Sequence, residues 1–166
     1  TDSPAEYFCN IFEKASPTAD KDYIKWLLTI IKKHNIDLII PGIEDDMYKW
    51  QDNLEEIKSS GVSILLNNIS LVKLCEDKWK FYEFLEKNKS PYRIESSLES
   101  DFDYFSKKFG LPFILKPRRG HGSKGIVRVS DKKMFLKHKT QIGNTLMVQP
   151  LIGQDDEEYT VSAFAD

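Results

Sequence analysis

Two short apolar runs, residues 36–40 and 62–66, constrain the fold of this chain more than any other feature of its sequence. Each has the length of a strand rather than a helix, and each suits the buried interior of a parallel sheet. Pro41 and Gly42 close the first run. Glu44-Asp45-Asp46 then predicts the opening of a helix that ends at Gly61, with acids in the first turn and glycine as the stop. A helix over 21–34 precedes the first run, because Tyr23, Ile24, Leu27, Leu28 and Ile31 recur at helical spacing. This alternation implies a doubly wound α/β unit. Such a unit needs more strands than can be counted before Pro41. The expectation is therefore that the domain begins upstream of Thr1, and that the chain is a fragment ending inside a strand at Asp166.

The rhythm changes after Gly110. A helix is predicted over 77–88, with Trp79, Phe81, Tyr82 and Leu85 as its apolar positions and core packing as their expected role. Ser90-Pro91 breaks it. Ser100 reads as the N-cap of another helix, with Asp103 in the first turn and Gly110 as the stop. Residues 112–116, 125–129, 145–149 and 158–165 are strand-like, interrupted only by a short helix near 132–139. Strands joined by a glycine loop suggest an antiparallel hairpin. The chain is thus expected to hold an α/β part over 1–77 and an α+β part over 78–166.

Composition narrows the function classes. A net charge of -2 gives no global pull toward nucleic acid or a membrane surface. No apolar run approaches membrane-spanning length, and no signal-like start is present. Cys9 and Cys75 stand far apart, which reads as two reduced thiols and a cytoplasmic setting. His34, His121 and His138 show no metal-ligand spacing.

The segment Pro112-Phe-Ile-Leu-Lys-Pro-Arg-Arg-Gly-His-Gly-Ser-Lys-Gly-Ile-Val127 carries the strongest chemical signal. An apolar strand ends in Lys116, and a loop with Gly120, Gly122 and Gly125 follows. Glycines let backbone N–H groups turn toward a ligand, as phosphate-cradling loops do, and Ser123 adds a hydroxyl. A lysine at the end of a buried strand is costly without an anionic partner. The spacing is neither a Walker A loop nor a dinucleotide fingerprint. By itself the loop reads better as a solvated hairpin tip with exposed Arg118, Arg119 and Lys124. A second stretch, Met147-Val-Gln-Pro-Leu-Ile-Gly153, is followed by Glu157-Glu158-Tyr-Thr-Val161. An extended backbone can answer both the amine and N1 of adenine; Pro150 has no N–H, so the donor to N1 falls to Leu151. Glu158 opens an alternating strand and would face a polar cleft, where a carboxylate can accept both ribose hydroxyls. Taken alone, that segment reads better as a plain half-exposed strand with a solvated glutamate.

Asp77-Lys78, 112–117, 120–125, 149–153 and 158–161, in this order and spacing, resemble the ATP-grasp superfamily, in particular the branch similar to the large subunit of carbamoyl phosphate synthetase. The resemblance covers 77–166, and residues 2–5 and 36–46 resemble, more weakly, the Rossmann-like pre-ATP-grasp domain. It implies that Lys78 and Lys116 contact nucleotide phosphates and that the loop of Gly120, Gly122, Ser123 and Gly125 closes over them. It implies that Gln149, Pro150 and Leu151 hold adenine and that Glu158 holds ribose. Gln149 stands where a glutamate is more common.

The activity implied is an ATP-dependent ligase. A small carboxylate would be phosphorylated to an acyl phosphate, which an amine, a thiol or another nucleophile attacks. Magnesium is implied too, with its ligands on strands beyond Asp166; Asp155, Asp156 and Glu157 read as solvated. The chain alone is therefore expected not to turn over ATP. Catalytic residues and both substrates stay open, as does a homodimer. A non-catalytic nucleotide-binding or structural module is the alternative, and an unrelated α/β protein with a plain hairpin is a third.

Overall fold

The computed structural model describes residues 4–154. The chain divides into two compact units, Thr1–Val72 and Lys73–Asp166.

The first unit is built on α1 (Tyr23–His34), β1 (Leu38–Ile39), α2 (Glu44–Asp52), α3 (Leu54–Lys58) and β2 (Ser63–Ile64). β1 and β2 pair in parallel, Leu38 opposite Ser63 and Ile39 opposite Ile64, as the two apolar runs predict. Tyr23, Ile24, Leu27 and Ile31 put one face of α1 into a core shared with Ile39, Trp50, Ile57 and Val62. A polar chain runs beside this core. Trp50 Nε1 donates to the Tyr23 hydroxyl at 3.1 Å, and that hydroxyl and Thr18 Oγ1 both donate to Asp46 Oδ1, at 2.8 and 2.7 Å. Burial, with the Asp46 carboxylate beside it, pushes the Tyr23 phenol up to about 12.

One predicted helix proves to be two. The span from Glu44 breaks at Asn53, whose backbone leaves the helical region and whose Nδ2 donates to the Lys49 carbonyl at 2.8 Å. Asparagine offers the backbone a local alternative to the helical ladder, and here that alternative prevails.

The second unit contains α5 (Lys78–Lys87), α6 (Phe102–Phe109), β3 (Phe113–Pro117), β4 (Val127–Val129), α7 (Lys132–His138) and β5 (Leu146–Pro150); α4 (Ile69–Glu76), which is not among the predicted helices, carries the boundary between the units. The sheet order is β4-β3-β5, antiparallel throughout. β3, the glycine loop and β4 form the predicted hairpin, and residues 120–125 lie in turns rather than in a helix. Phe113, Leu115, Val129, Leu146 and Val148 meet Phe105 of α6 and Phe135 of α7 in one core. The N-cap of α6 is Asp101, one residue later than predicted, because its carboxylate reaches the Tyr104 N–H at 2.9 Å. The expected core role of the α5 aromatics does not hold. None of the α5 residues is fully buried, and Phe81 and Phe84 are exposed. The predicted strand 158–165 lies outside the described residues. No described helix is long and apolar enough to cross a membrane.

Candidate functional site

Strand parity separates the two faces of the sheet. Phe113 and Leu115 point into the core, so Ile114 and Lys116 point to the other face. Ladder partners share a face, which places Arg128, opposite Ile114, with Met147 and Gln149, opposite Lys116 and Ile114. Lys116 is half-buried there. Burial pushes its ammonium below the ordinary lysine range, and the charge of Lys78 pushes the same way. A site that disfavours its own cation in this manner is suited to an anion.

The glycine loop completes that site. Lys78, Lys116, Gly120, Gly122, Ser123 and Lys124 are among the residues lining a cavity of about 160 Å³. Gly120 has φ 101, and Ser123 itself has φ 56, the left-handed region that L side chains rarely adopt. Gly125, at φ 79, packs so closely that an added Cβ would lie 3.1 Å from Pro117 Cγ. Lys78 begins α5, where Asp77 caps the helix by accepting from the Trp79 N–H at 3.0 Å. Its ammonium donates to the Gly120 carbonyl, tying helix to loop.

Sequence reasoning missed the anchor beneath this arrangement. The Asp77 carboxylate is buried and takes both arms of Arg118, Nε to Oδ1 at 3.2 Å and Nη2 to Oδ2 at 2.7 Å. Burial alone would raise the Asp77 carboxyl. The Arg118 guanidinium and the Trp79 N–H reverse that and hold it below its usual range. Arg118 Nη1 donates to the Gly143 carbonyl at 2.9 Å, and the Lys78 N–H donates to the Arg118 carbonyl at 2.8 Å. Arg118 is thus a fixed strut, not the solvated loop charge that a plain hairpin would have. A larger opening, about 570 Å³, is lined by Asp77, Arg118, Arg119, Asn144 and Thr145, but its cations are already paired, Arg119 with Glu76 at 3.2 Å. The smaller cavity holds the lysines for which no described residue supplies a carboxylate.

Gln149 is buried near the end of β5, Pro150 ends the strand, and half-buried Leu151 follows it. Gln149 Nε2 donates to Ser96 Oγ at 2.7 Å, a partner that sequence reasoning also missed. Glu158, with Asp155, Asp156 and Glu157, lies outside the described residues. Among the described residues no group of three His, Cys, Asp or Glu side chains converges as a metal site would require. The described residues therefore do not fit a magnesium ion.

Residues 75–166 match the family described as the ATP-grasp domain, and residues 1–65 match the PylC-like N-terminal domain. The arginine-specific large chain of carbamoyl phosphate synthase from Bacillus subtilis (strain 168) is 26% identical over 146 residues, covering 84% of this chain and 14% of that protein. Among solved structures, N5-carboxyaminoimidazole synthetase from Staphylococcus aureus aligns with a TM-score of 0.60 at 18% identity, over 92% of this chain and 38% of that one. Carboxyaminoimidazole ribonucleotide synthase from Aspergillus clavatus, complexed with ATP, aligns with a TM-score of 0.59 at 19% identity, over 91% and 39%. The biotin carboxylase domain of 2-oxoglutarate carboxylase from Hydrogenobacter thermophilus, in complex with MgADP, ADP and bicarbonate, aligns with a TM-score of 0.58 at 17% identity, over 85% and 34%. The chain spans well under half the length of these relatives. With the family match covering more than half of its residues, the chain belongs to the ATP-grasp family.

Proposed function

We propose that this chain supplies the nucleotide grip of an ATP-dependent ligase that joins a carboxylate to an amine or another nucleophile through an acyl phosphate. One observation carries the reading: Lys116, half-buried and with its charge disfavoured, faces a glycine-loop cavity that Lys78 also lines. Two ammoniums beside a glycine-rich loop suit a polyphosphate. In this reading Lys78 and Lys116 hold the phosphates, and Gly120, Gly122, Ser123 and Gly125 fold over them. Gln149, Pro150 and Leu151 receive the base, and Glu158 the ribose. The solved relatives in complex with ATP or MgADP make the same ligand class reasonable for this fold.

The chemistry follows from charge. A carboxylate oxygen attacks the terminal phosphorus, the bond to the bridging oxygen breaks, and ADP departs. The nucleophile then displaces phosphate from the acyl carbon. Fixed cations stabilise charge on the transferring group, and the protein need form no covalent bond. Magnesium, expected for this chemistry, finds no ligand set among the described residues.

The test is ADP release by the intact protein with ATP, magnesium and panels of carboxylates and amines. ADP release that depends on both a carboxylate and a nucleophile is the expected result. Tight ATP binding without any such release would favour a non-catalytic nucleotide-binding module.

A further inference from the structure

A carboxamide has two unlike ends, and the end that faces a ligand decides which base edges it can answer. Gln149, buried on the Lys116 face, has its ends fixed by a short relay. Its Nε2 donates to Ser96 Oγ at 2.7 Å, and Ser96 Oγ donates to the Ile94 carbonyl at 3.0 Å. A serine hydroxyl has one proton. With that proton committed to Ile94, Oγ has only lone pairs left for Gln149. If the carboxamide turned end for end, two acceptor oxygens would meet in a buried place, at the cost of an unmade hydrogen bond. Ser96 cannot drift away, because its neighbour Ser97 is bonded to β5. The Ser97 N–H donates to the Val148 carbonyl at 3.0 Å, and the Val148 N–H to the Ser97 carbonyl at 2.8 Å. Among the described residues nothing donates to Gln149 Oε1, and no described side-chain polar atom is both buried and unpaired. The oxygen therefore keeps some solvent contact, with its lone pairs unused.

We infer that Ser96 is the positioning residue that sets base selectivity, by fixing Gln149 so that Oε1, an acceptor, is the group the base meets. An acceptor there accepts a hydrogen bond from the 6-amino group of adenine and repels the 6-oxo group of hypoxanthine or guanine. A glutamine free to turn would serve both equally. The inference rests on the nucleotide reading above.

Calorimetric titration of the full chain with ATP and with ITP, whose base carries a 6-oxo group in place of the amine, tests it. The wild-type chain should prefer ATP by about tenfold or more. Ser96→Ala should bring that ratio to about threefold or less, mainly through tighter ITP binding, whereas Ser96→Thr, which keeps the hydroxyl, should retain the preference. If the alanine variant does not fold, Ser96→Cys keeps most of the volume with a much weaker acceptor and should lower the ratio in the same way. An unchanged ratio in a Ser96→Ala chain that still binds ATP would overturn the inference and leave the nucleotide reading standing, as would equal wild-type affinity for ATP and ITP. Failure of the wild-type chain to bind either nucleotide would overturn both.

Discussion

Lys116 concentrates the electrostatics of the site in one side chain. Its ammonium is disfavoured by burial and by Lys78, so an anion that neutralises the cavity restores the proton. ATP binding should therefore be accompanied by proton uptake at alkaline pH, in the window between the lowered value of the free protein and the ordinary lysine value. Calorimetry in two buffers of different ionisation enthalpy would read it, and affinity should fall as pH rises through that window. Stability of the free protein moves the opposite way. There the unfolded chain binds more protons than the folded one, so this group makes unfolding harder as pH rises. Lys116→Met should weaken ATP binding by about ten- to a hundredfold, the equivalent of ~1.5–3 kcal/mol for a charge-assisted bond, with a much smaller loss for AMP. Equal losses for the two nucleotides would place Lys116 away from the outer phosphates.

Between α5 and β3, the Asp77–Arg118 pair is what holds one lysine near the other. Lys78 follows Asp77 directly, and Lys116 precedes Arg118 by two residues. Asp77→Asn leaves the guanidinium without its counter-charge in a largely buried place. It should cost about 3 kcal/mol, the low end for a broken buried pair because Arg118 keeps some solvent contact. Chemical denaturation would measure it. Since the folded Asp77 carboxyl is held low, its contribution is present above the unfolded carboxylate value and is lost as pH falls through the folded one. The same pair shows where sequence legibility ends. The glycine loop, Lys78, Lys116 and Gln149 are local patterns, and each stands on the element its pattern implies. Asp77 and Arg118 are 41 residues apart, and Ser96 and Gln149 are 53 apart, with no periodicity to connect them. The exposure of the α5 aromatics escapes the sequence for a related reason. Helical spacing reveals that a face exists, but what covers that face is decided elsewhere in the chain. The break at Asn53 was more accessible, since asparagine inside a predicted helix is itself a signal.

At the scale of the molecule, the two units keep separate cores, one around Ile57 and Trp50 and the other around Phe105, Phe113 and Phe135. Ile57→Ala, at a fully buried position, should cost about 2–5 kcal/mol. Hydrogen exchange should localise that loss to α1, α3 and β2 while amides of β3 and β5 keep their protection. Loosening of both units together would show a single cooperative block instead. The second unit adds a division of labour across the thickness of one sheet. Phe113 and Leu115 of β3 and Leu146 and Val148 of β5 fill the core, and Ile114, Lys116, Met147 and Gln149 lie on the opposite face. A saturation scan over 113–117 and 146–150 should therefore beat with a period of two. Expression and melting temperature would respond at Phe113, Leu115, Leu146 and Val148, and also at fully buried Met147, and nucleotide affinity at Lys116 and Gln149. A lineage carrying this sheet could retune its ligand preference with little renegotiation of its fold, because the two selective pressures fall mostly on different side chains.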